Sequence, residues 1–190
     1  MKYQTLLEKC QEDHIPIVRD KTKDLILSLI KKHHCTSLLE IGTAYGYSCS
    51  LWLKEKQLTK IVSLEKLTSN YEIAKSFLND PRLELINTDA FMYEPSQKFD
   101  LIFVDGPKSH QEQLVTKYLN YLTPNGIMVI DNLFLKKFSE VPKTQLTKNQ
   151  IKLLNKVETF YSWLNQGISG YDLIVSDFDD GVGILTKHAS

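Results

Sequence analysis

The chain has 190 residues, 42% of them hydrophobic, which predicts one globular domain over residues 1–190. Its 23 basic and 23 acidic side chains balance, which excludes an overall electrostatic attraction to nucleic acid or membrane surfaces and leaves only local patches. Cys10, Cys35 and Cys49 form no CxxC pair, and the N-terminus has no apolar run suited to a signal peptide or membrane span, so we expect a cytoplasmic protein without a membrane segment.

The first predicted element is a helix over Asp20–His34, with apolar side chains at helical spacing and a basic end. From Ser37 onward, short apolar runs alternate with helix-period segments, a pattern typical of parallel strands joined by crossover helices. Helical stripes in the linking segments are Tyr71, Ala74 and Leu78, then Leu114, Tyr118 and Leu122. The predicted strands are Ser37–Ile41, Lys60–Glu65, Arg82–Asn87, Phe99–Asp105 and Gly126–Asp131.

The C-terminal third is predicted to close the fold. Leu133–Lys148 lacks clear periodicity and is interpreted as a lid, whereas the apolar side chains from Ile151 to Leu164 indicate a helix. Tyr171–Ser176 and Gly181–Lys187, separated by an acidic turn, predict a hairpin. The sequence therefore predicts an α/β fold with a mostly parallel central sheet, flanking helices and a C-terminal antiparallel hairpin.

A glycine-bearing turn follows the first strand, in the segment Leu39–Ser48. It is not the dinucleotide pattern GxGxxG, because Ala44 stands where the second glycine would be, and it has no GK[ST] of a phosphate-binding loop. The acidic Glu40 is poorly placed beside a pyrophosphate but suits a ligand that carries an ammonium and a sulfonium group. The turn therefore favours S-adenosylmethionine over NAD, although a glycine turn alone is often only a tight turn.

Two further strand ends carry groups suited to the same ligand. Glu65 ends the second strand, from which a carboxylate can accept hydrogen bonds from ribose hydroxyls. Asp89, Ala90 and Phe91 follow the third strand and could meet the adenine edge. A strand-end acid is often a solvated cap, but open α/β sheets bind ligands at the carboxyl ends of their strands, and all of these features lie there.

Oxygen-bearing side chains also follow the fourth and fifth strands. Asp105 ends the fourth, and Asp131 and Asn132 end the fifth. Two carboxylates and one amide suit a divalent cation such as Mg²⁺ and leave positions for a substrate with two adjacent oxygens. Lys108, three residues beyond Asp105, is a candidate general base. Strand-end Asp and Asn also commonly cap loops, and a lone lysine is usually a surface residue.

The segment Leu38–Ser48 resembles motif I of the catechol and caffeoyl-CoA type O-methyltransferases, O-methyltransferase family 3, and the similarity extends from Ile15 to Lys187. The resemblance implies a Rossmann-like methyltransferase fold, S-adenosylmethionine as cofactor, Lys108 as base and Mg²⁺ or another divalent cation. The implied metal ligands are Asp105, Asp131 and Asn132. The expected cofactor contacts are Ile17, Glu40, Gly42, Tyr45, Gly46, Ser48, Glu65, Asp89, Ala90 and Asp105. The chain departs from the family at Gln111, where a tyrosine is common, and at Gly106-Pro107.

Short bacterial members that this chain resembles convert 5-hydroxyuridine in tRNA to 5-methoxyuridine, which implies tRNA as the substrate. Lysines after the predicted metal ligands could meet phosphates, although a lysine-rich helix is usually only a solvated face. Two alternatives stay open: methylation of a small catechol-like molecule, and a cofactor-binding module without turnover. His110 could assist near the cleft or simply begin a helix. The resemblance also implies a homodimer.

Overall fold

A computed structural model describes residues 2–106 and 110–188, with side chains from residue 5 onward. The helices are α1 (Lys2–Glu12), α2 (Asp20–Lys32), α3 (Tyr47–Trp52), α4 (Thr68–Phe77), α5 (Gln111–Leu119), α6 (Lys136–Ser139) and α7 (Lys148–Asn165), with a 3₁₀ turn at Lys143–Gln145. The strands are β1 (Ser37–Ile41), β2 (Lys60–Glu65), β3 (Leu83–Asn87), β4 (Phe99–Val104), β5 (Leu122–Asp131), β6 (Tyr171–Ser176) and β7 (Val182–Lys187).

One seven-stranded sheet has the order β3-β2-β1-β4-β5-β7-β6. Strands β1 to β5 are parallel, and β7 is antiparallel to both β5 and β6. The predicted fold class and the predicted hairpin are therefore confirmed. β1 and β4 are neighbours in the sheet, but the chain continues from β1 to β2 on one side and from β4 to β5 on the other. This change of direction opens a crevice at the carboxyl ends of β1 and β4.

The central strands are apolar on both faces because helices cover both. Leu38 of β1 and Phe103 of β4 contribute to the core on the side of α1 to α4, whereas Leu39 and Ile102 contribute to the core on the side of α5 and α7. Alternate residues along a strand point to opposite faces, so continuous apolar runs fill both layers. No helix among the described residues combines the length and apolar character needed to cross a membrane.

Helix α1 was not predicted. Its segment is rich in charged and polar residues, and only Leu6 and Cys10 are fully buried along its described side chains. A stripe this narrow gives a weak periodic signal, whereas its packing against α3 holds the helix in place.

The acidic turn between β6 and β7 connects three separate parts of the chain. The Asp179 carboxylate accepts hydrogen bonds from the backbone N–H and the hydroxyl of Thr22, at 2.9 and 3.2 Å, and so caps the first turn of α2. The buried Asp180 carboxylate accepts from the Arg19 guanidinium and from the backbone N–H of Lys136. The turn therefore ties the segment before α2 to the segment that follows β5.

Candidate active site

A cavity of about 690 Å³ opens at the carboxyl ends of the parallel strands. This volume lies in the range of small-molecule and cofactor sites. The cavity is bordered by the turn after β1, by the ends of β2 and β4, and by the residues after β3. Its lining includes Gly42, Ala44, Glu65, Asp89, Asp105 and His110.

The turn after β1 depends on glycine for a reason internal to the fold. Gly42 has a φ of +102°, and a Cβ atom there would lie 2.3 Å from the backbone oxygen of Asp105. Gly46 directly precedes α3 and has a φ of +89°, and a Cβ there would lie 2.6 Å from a methyl carbon of Leu78. Both positions favour glycine because of backbone conformation and close packing. Gly42 lines the cavity, whereas Gly46 shapes the turn from behind.

The Glu65 carboxylate is held in a fixed orientation by two backbone donors. Its Oε2 accepts from the N–H of Ala44 at 2.8 Å, and its Oε1 accepts from the N–H of Leu67 at 2.7 Å. Each carboxylate oxygen can accept a further hydrogen bond. Glu65 is 7% exposed and lines the cavity, so its remaining acceptor capacity is open to a ligand that enters the cavity.

The residues after β3 form the opposite side of the cavity. Asp89 pairs with Lys66 at 2.8 Å and accepts from the N–H of Phe91 at 3.0 Å. The hydrogen bond from Lys66 and the one from Phe91 lower the pKa of Asp89, so the carboxylate is charged at neutral pH. Ala90 is buried on the cavity wall, and the Phe91 ring meets the His110 ring edge to face at 6.2 Å between centroids.

Glu40 lies behind the glycine turn, not on the cavity wall. Its side chain is fully buried; Oε1 accepts from the Trp52 indole at 2.8 Å, and Oε2 accepts from the Ser63 hydroxyl at 2.5 Å. Burial raises its pKa to about 7, although hydrogen bonds from Ser63, Ser48 and Trp52 oppose the rise. Direct contact between Glu40 and a ligand stays a prediction, and the described geometry assigns the side chain to supporting the turn.

A narrow crevice continues from the cavity toward α1. The two share walls at Pro16, Gly42, Ala44 and Asp105, and the crevice adds Ile17, Tyr45 and Ser48 among others. The Tyr45 hydroxyl donates to Asp13 at 2.8 Å, which joins the turn to the residue that follows α1. The predicted cofactor residues before and within the turn are thus brought to the same place, except for Glu40 and Gly46 behind it.

The three predicted metal ligands lie together at the ends of β4 and β5. The Asn132 side-chain amide donates to Asp105 Oδ1 at 3.1 Å, and the Asn132 backbone N–H donates to Asp131 Oδ1 at 2.8 Å. Asp105 reaches the cavity wall, whereas Asp131 is 5% exposed and lies behind it. Asn132 has a φ of +62°, a conformation that asparagine tolerates better than most residues.

This set contains two carboxylates and one amide. Across residues 2–106 and 110–188, no group of three or more His, Cys, Asp or Glu side chains could hold a metal ion. A cation here would therefore need the Asn132 amide oxygen, which requires the amide to present its oxygen instead of its nitrogen to the site. The donor types fit Mg²⁺, which takes one or two carboxylates and fills its other positions with water or substrate.

The predicted base, Lys108, lies outside the described residues, so its role stays a prediction. The cavity residues that were not predicted as site residues include the polar Lys66 and Thr88. Each directly adjoins a predicted site residue or strand end, so sequence adjacency was the available signal. His110 directly precedes α5 and has a φ of +63°. It lines the cavity, as one of its two predicted roles requires.

Comparison with known proteins identifies the family and the fold. The sequence pattern of the O-methyltransferase family matches residues 4–162. A Staphylococcus aureus protein assigned as a caffeoyl-CoA O-methyltransferase is 25% identical, with a TM-score of 0.89 over 98% of this chain and 92% of the other. A Podospora anserina methyltransferase bound to SAH has the same fold, at 21% identity and a TM-score of 0.83 over 99% and 88% of the two chains.

A curated relative is assigned a different methyl acceptor. A Thermoplasma volcanium protein assigned as a cobalt-precorrin-6B C(15)-methyltransferase (decarboxylating) is 24% identical over 170 residues, 85% of this chain and 83% of the relative. The family match covers most of the chain, and the fold agrees with it. The chain therefore belongs to the family of S-adenosylmethionine-dependent O-methyltransferases.

Proposed function

We propose that this protein transfers the methyl group of S-adenosylmethionine to the 5-hydroxyl oxygen of 5-hydroxyuridine in tRNA, with the help of a divalent cation. The observation that carries the proposal is the contact between Asp105 and Asn132, 3.1 Å apart. Asp105 forms part of the cofactor cavity wall, and Asn132 adjoins Asp131 at the end of the next strand. An oxygen-rich set therefore lies directly beside the cavity proposed to hold the methyl donor.

The cavity suits the adenosyl half of the cofactor. Glu65, oriented by the Ala44 and Leu67 N–H groups, has acceptor capacity left for the two ribose hydroxyls. The apolar Ala90 and Phe91 offer a surface for the adenine ring. We place the methionine end on the side of the adjoining crevice at Ile17 and Ser48, whose volume in this structure is only about 20 Å³, and the methyl group near Asp105, which lines both regions.

Asp105, Asp131 and Asn132 would hold the cation. A divalent cation at this position supplies positive charge that lowers the pKa of a chelated hydroxyl group. The backbone N–H of Asn132 fixes the Asp131 carboxylate before any ion binds, which reduces the reorganisation that binding requires. We assign Lys108 the removal of the substrate hydroxyl proton as part of this proposal.

The substrate assignment is supported by the chemistry of the acceptor and by local charge. The 5-hydroxyl and 4-carbonyl oxygens of hydroxyuridine are adjacent and can occupy two positions of one cation, as can the oxygens of a catechol. Lys148, Lys152 and Lys156 recur at every fourth position of α7 and are exposed. Such a basic stripe favours a polyanionic substrate over a small neutral molecule.

The test is methyl transfer from labelled S-adenosylmethionine to three acceptors: tRNA that contains 5-hydroxyuridine, the free nucleoside, and catechol. We expect transfer to the tRNA, abolished by a chelator and restored by Mg²⁺. Asp131→Ala should prevent transfer, whereas Asp172→Ala, an exposed acid on β6, should behave as wild type. Transfer to catechol alone would contradict the substrate assignment, and transfer that persists in chelator would contradict the metal role.

A further inference from the structure

Gln111, the first residue of α5, is a buried amide without a hydrogen-bond partner. Its side chain is 2% exposed, and neither Nε2 nor Oε1 has a partner within the described part of the chain. Buried amides are nearly always hydrogen-bonded, because an unpaired donor or acceptor carries its full desolvation cost. Such an amide keeps its full hydrogen-bonding capacity for a molecule that enters the adjoining space.

Gln111 forms part of the wall of a groove of about 410 Å³ between the start of α5 and the middle of α7. Phe160 provides an apolar floor, and its ring stacks on Trp163 at 5.7 Å between centroids. The groove is joined to the cofactor cavity through His110, which lines both. The other groove residues are Glu112, Asn155, Lys156 and Thr159.

The exposed face of α7 continues from this groove. Lys148, Lys152 and Lys156 lie about 6 Å apart along the helix axis and share the face that carries Asn155 and Thr159. None of the three lysines forms an ion pair with another described residue, unlike Lys143, which pairs with Glu158. Their positive charges are therefore available to an anionic strand that passes along the helix.

We propose that the groove between α5 and α7 is a second RNA subsite, which receives the nucleotide next to the one that is methylated. The Gln111 amide turns into the groove and pairs its donor and acceptor with the edge of that base, while Lys152 and Lys156 contact the phosphates. This proposal rests on the proposed function, because it takes an RNA strand as the substrate. An amide can bond a base edge through two hydrogen bonds, which suits this role.

The first experiment separates RNA reading from the chemical step. Gln111→Met keeps the length of the side chain but removes both polar groups. Methyl transfer is measured to 5-hydroxyuridine as a free nucleoside and to a short RNA strand with one 5-hydroxyuridine in its middle. We expect the RNA-to-nucleoside ratio of kcat/KM to fall about tenfold, the scale of one lost bidentate contact. The melting temperature should not fall, because the variant removes an unsatisfied amide.

An unchanged ratio in Gln111→Met would overturn the proposal. So would an equal loss on both substrates together with a lower melting temperature, since that pattern describes a residue needed only for folding.

The second experiment measures RNA binding as a function of salt and does not require turnover. The double variant Lys152→Ala/Lys156→Ala is compared with Lys56→Ala/Lys98→Ala, whose exposed lysines precede β2 and β4 at the opposite end of the sheet. Each phosphate contact contributes about 0.7 to the salt slope for a single strand, so the first variant should lower the slope by about 1.4. The second should leave it unchanged.

The outcomes distinguish the two proposals. If wild-type protein methylates neither hydroxyuridine substrate, the proposed function fails, and the subsite is judged by binding alone. Equal salt slopes in the two double variants would then reject the subsite. If wild-type protein methylates RNA but both comparisons show no difference, the function stands and the subsite fails.

Discussion

Replacing Glu40 with glutamine should change how the stability of the fold depends on pH. The rise in pKa from 4.5 to about 7, caused mainly by burial, means that the folded protein keeps this carboxyl protonated where the unfolded chain has lost the proton. A shift of this size corresponds to about 3 kcal/mol. The stabilising contribution is complete below pH 4.5 and is lost as the pH rises to 7 and beyond.

Glutamine can keep the hydrogen bonds to Trp52 and Ser63. The amide oxygen can accept from Trp52, and the amide nitrogen can donate to Ser63. Ser63 can turn its own hydroxyl toward Thr43, because either oxygen of that pair, 2.6 Å apart, can be the donor. The glutamine variant should therefore lack the pH-dependent penalty and keep both of these hydrogen bonds.

The assay is urea unfolding of wild type and Glu40→Gln at pH 5 and pH 8. The difference in unfolding free energy, wild type minus variant, should fall by about 2–3 kcal/mol between the two pH values. Glu72→Gln, at an exposed position of α4, serves as the control and should follow wild type. Parallel pH profiles for wild type and Glu40→Gln would refute the argument that burial keeps this carboxyl protonated.

Four further variants test the remaining structure. Gly42→Ala should lower the free energy of unfolding by more than the backbone strain of about 1–3 kcal/mol, because its Cβ also meets the backbone of Asp105. Gly167→Ala, at a φ of +86° with open space around it, should show the strain alone. Equal melting temperatures for the two variants would contradict the close approach of Gly42 to Asp105. Glu65→Ala should weaken cofactor binding by about 1–3 kcal/mol in a calorimetric titration. Asp131→Ala should stop turnover yet bind cofactor as wild type does, and weakened binding would place Asp131 in the cofactor site. Asp179→Ala should cost about 1 kcal/mol in thermal unfolding, because it uncaps α2.

The strands were predictable because strands that are buried on both faces have nearly continuous apolar runs in the sequence. The predicted bounds of β1, β2 and β6 match the structure, and those of β3, β4 and β7 differ by one residue. β5 begins at Leu122, four residues earlier than predicted. The prediction started the strand too late because Pro124 and Asn125 indicate a turn. The structure accommodates them through a register shift between Phe99 and Leu101 on β4, which depends on the neighbouring strand.

The site was predictable to the extent that strand order places strand ends together. Glu65, Asp89 and Asp105 share one cavity because parallel strands end at the same edge. The orientation of a side chain does not follow from that rule. Glu40 is the residue before the last of β1, yet it faces Ser63 and Trp52 beneath the turn, because alternate residues of a strand point to opposite faces.

The Asp180 carboxylate holds Arg19, just before α2, and Lys136, just after the predicted metal ligands. These positions lie 117 residues apart in the numbering of the chain: Arg19 follows the crevice residues Ile17 and Val18, and Lys136 follows Asp131 and Asn132 by a few residues. One buried carboxylate thus holds together two segments that continue from residues of the site. A substitution of Asp180, in the turn between β6 and β7, would therefore release both segments at once.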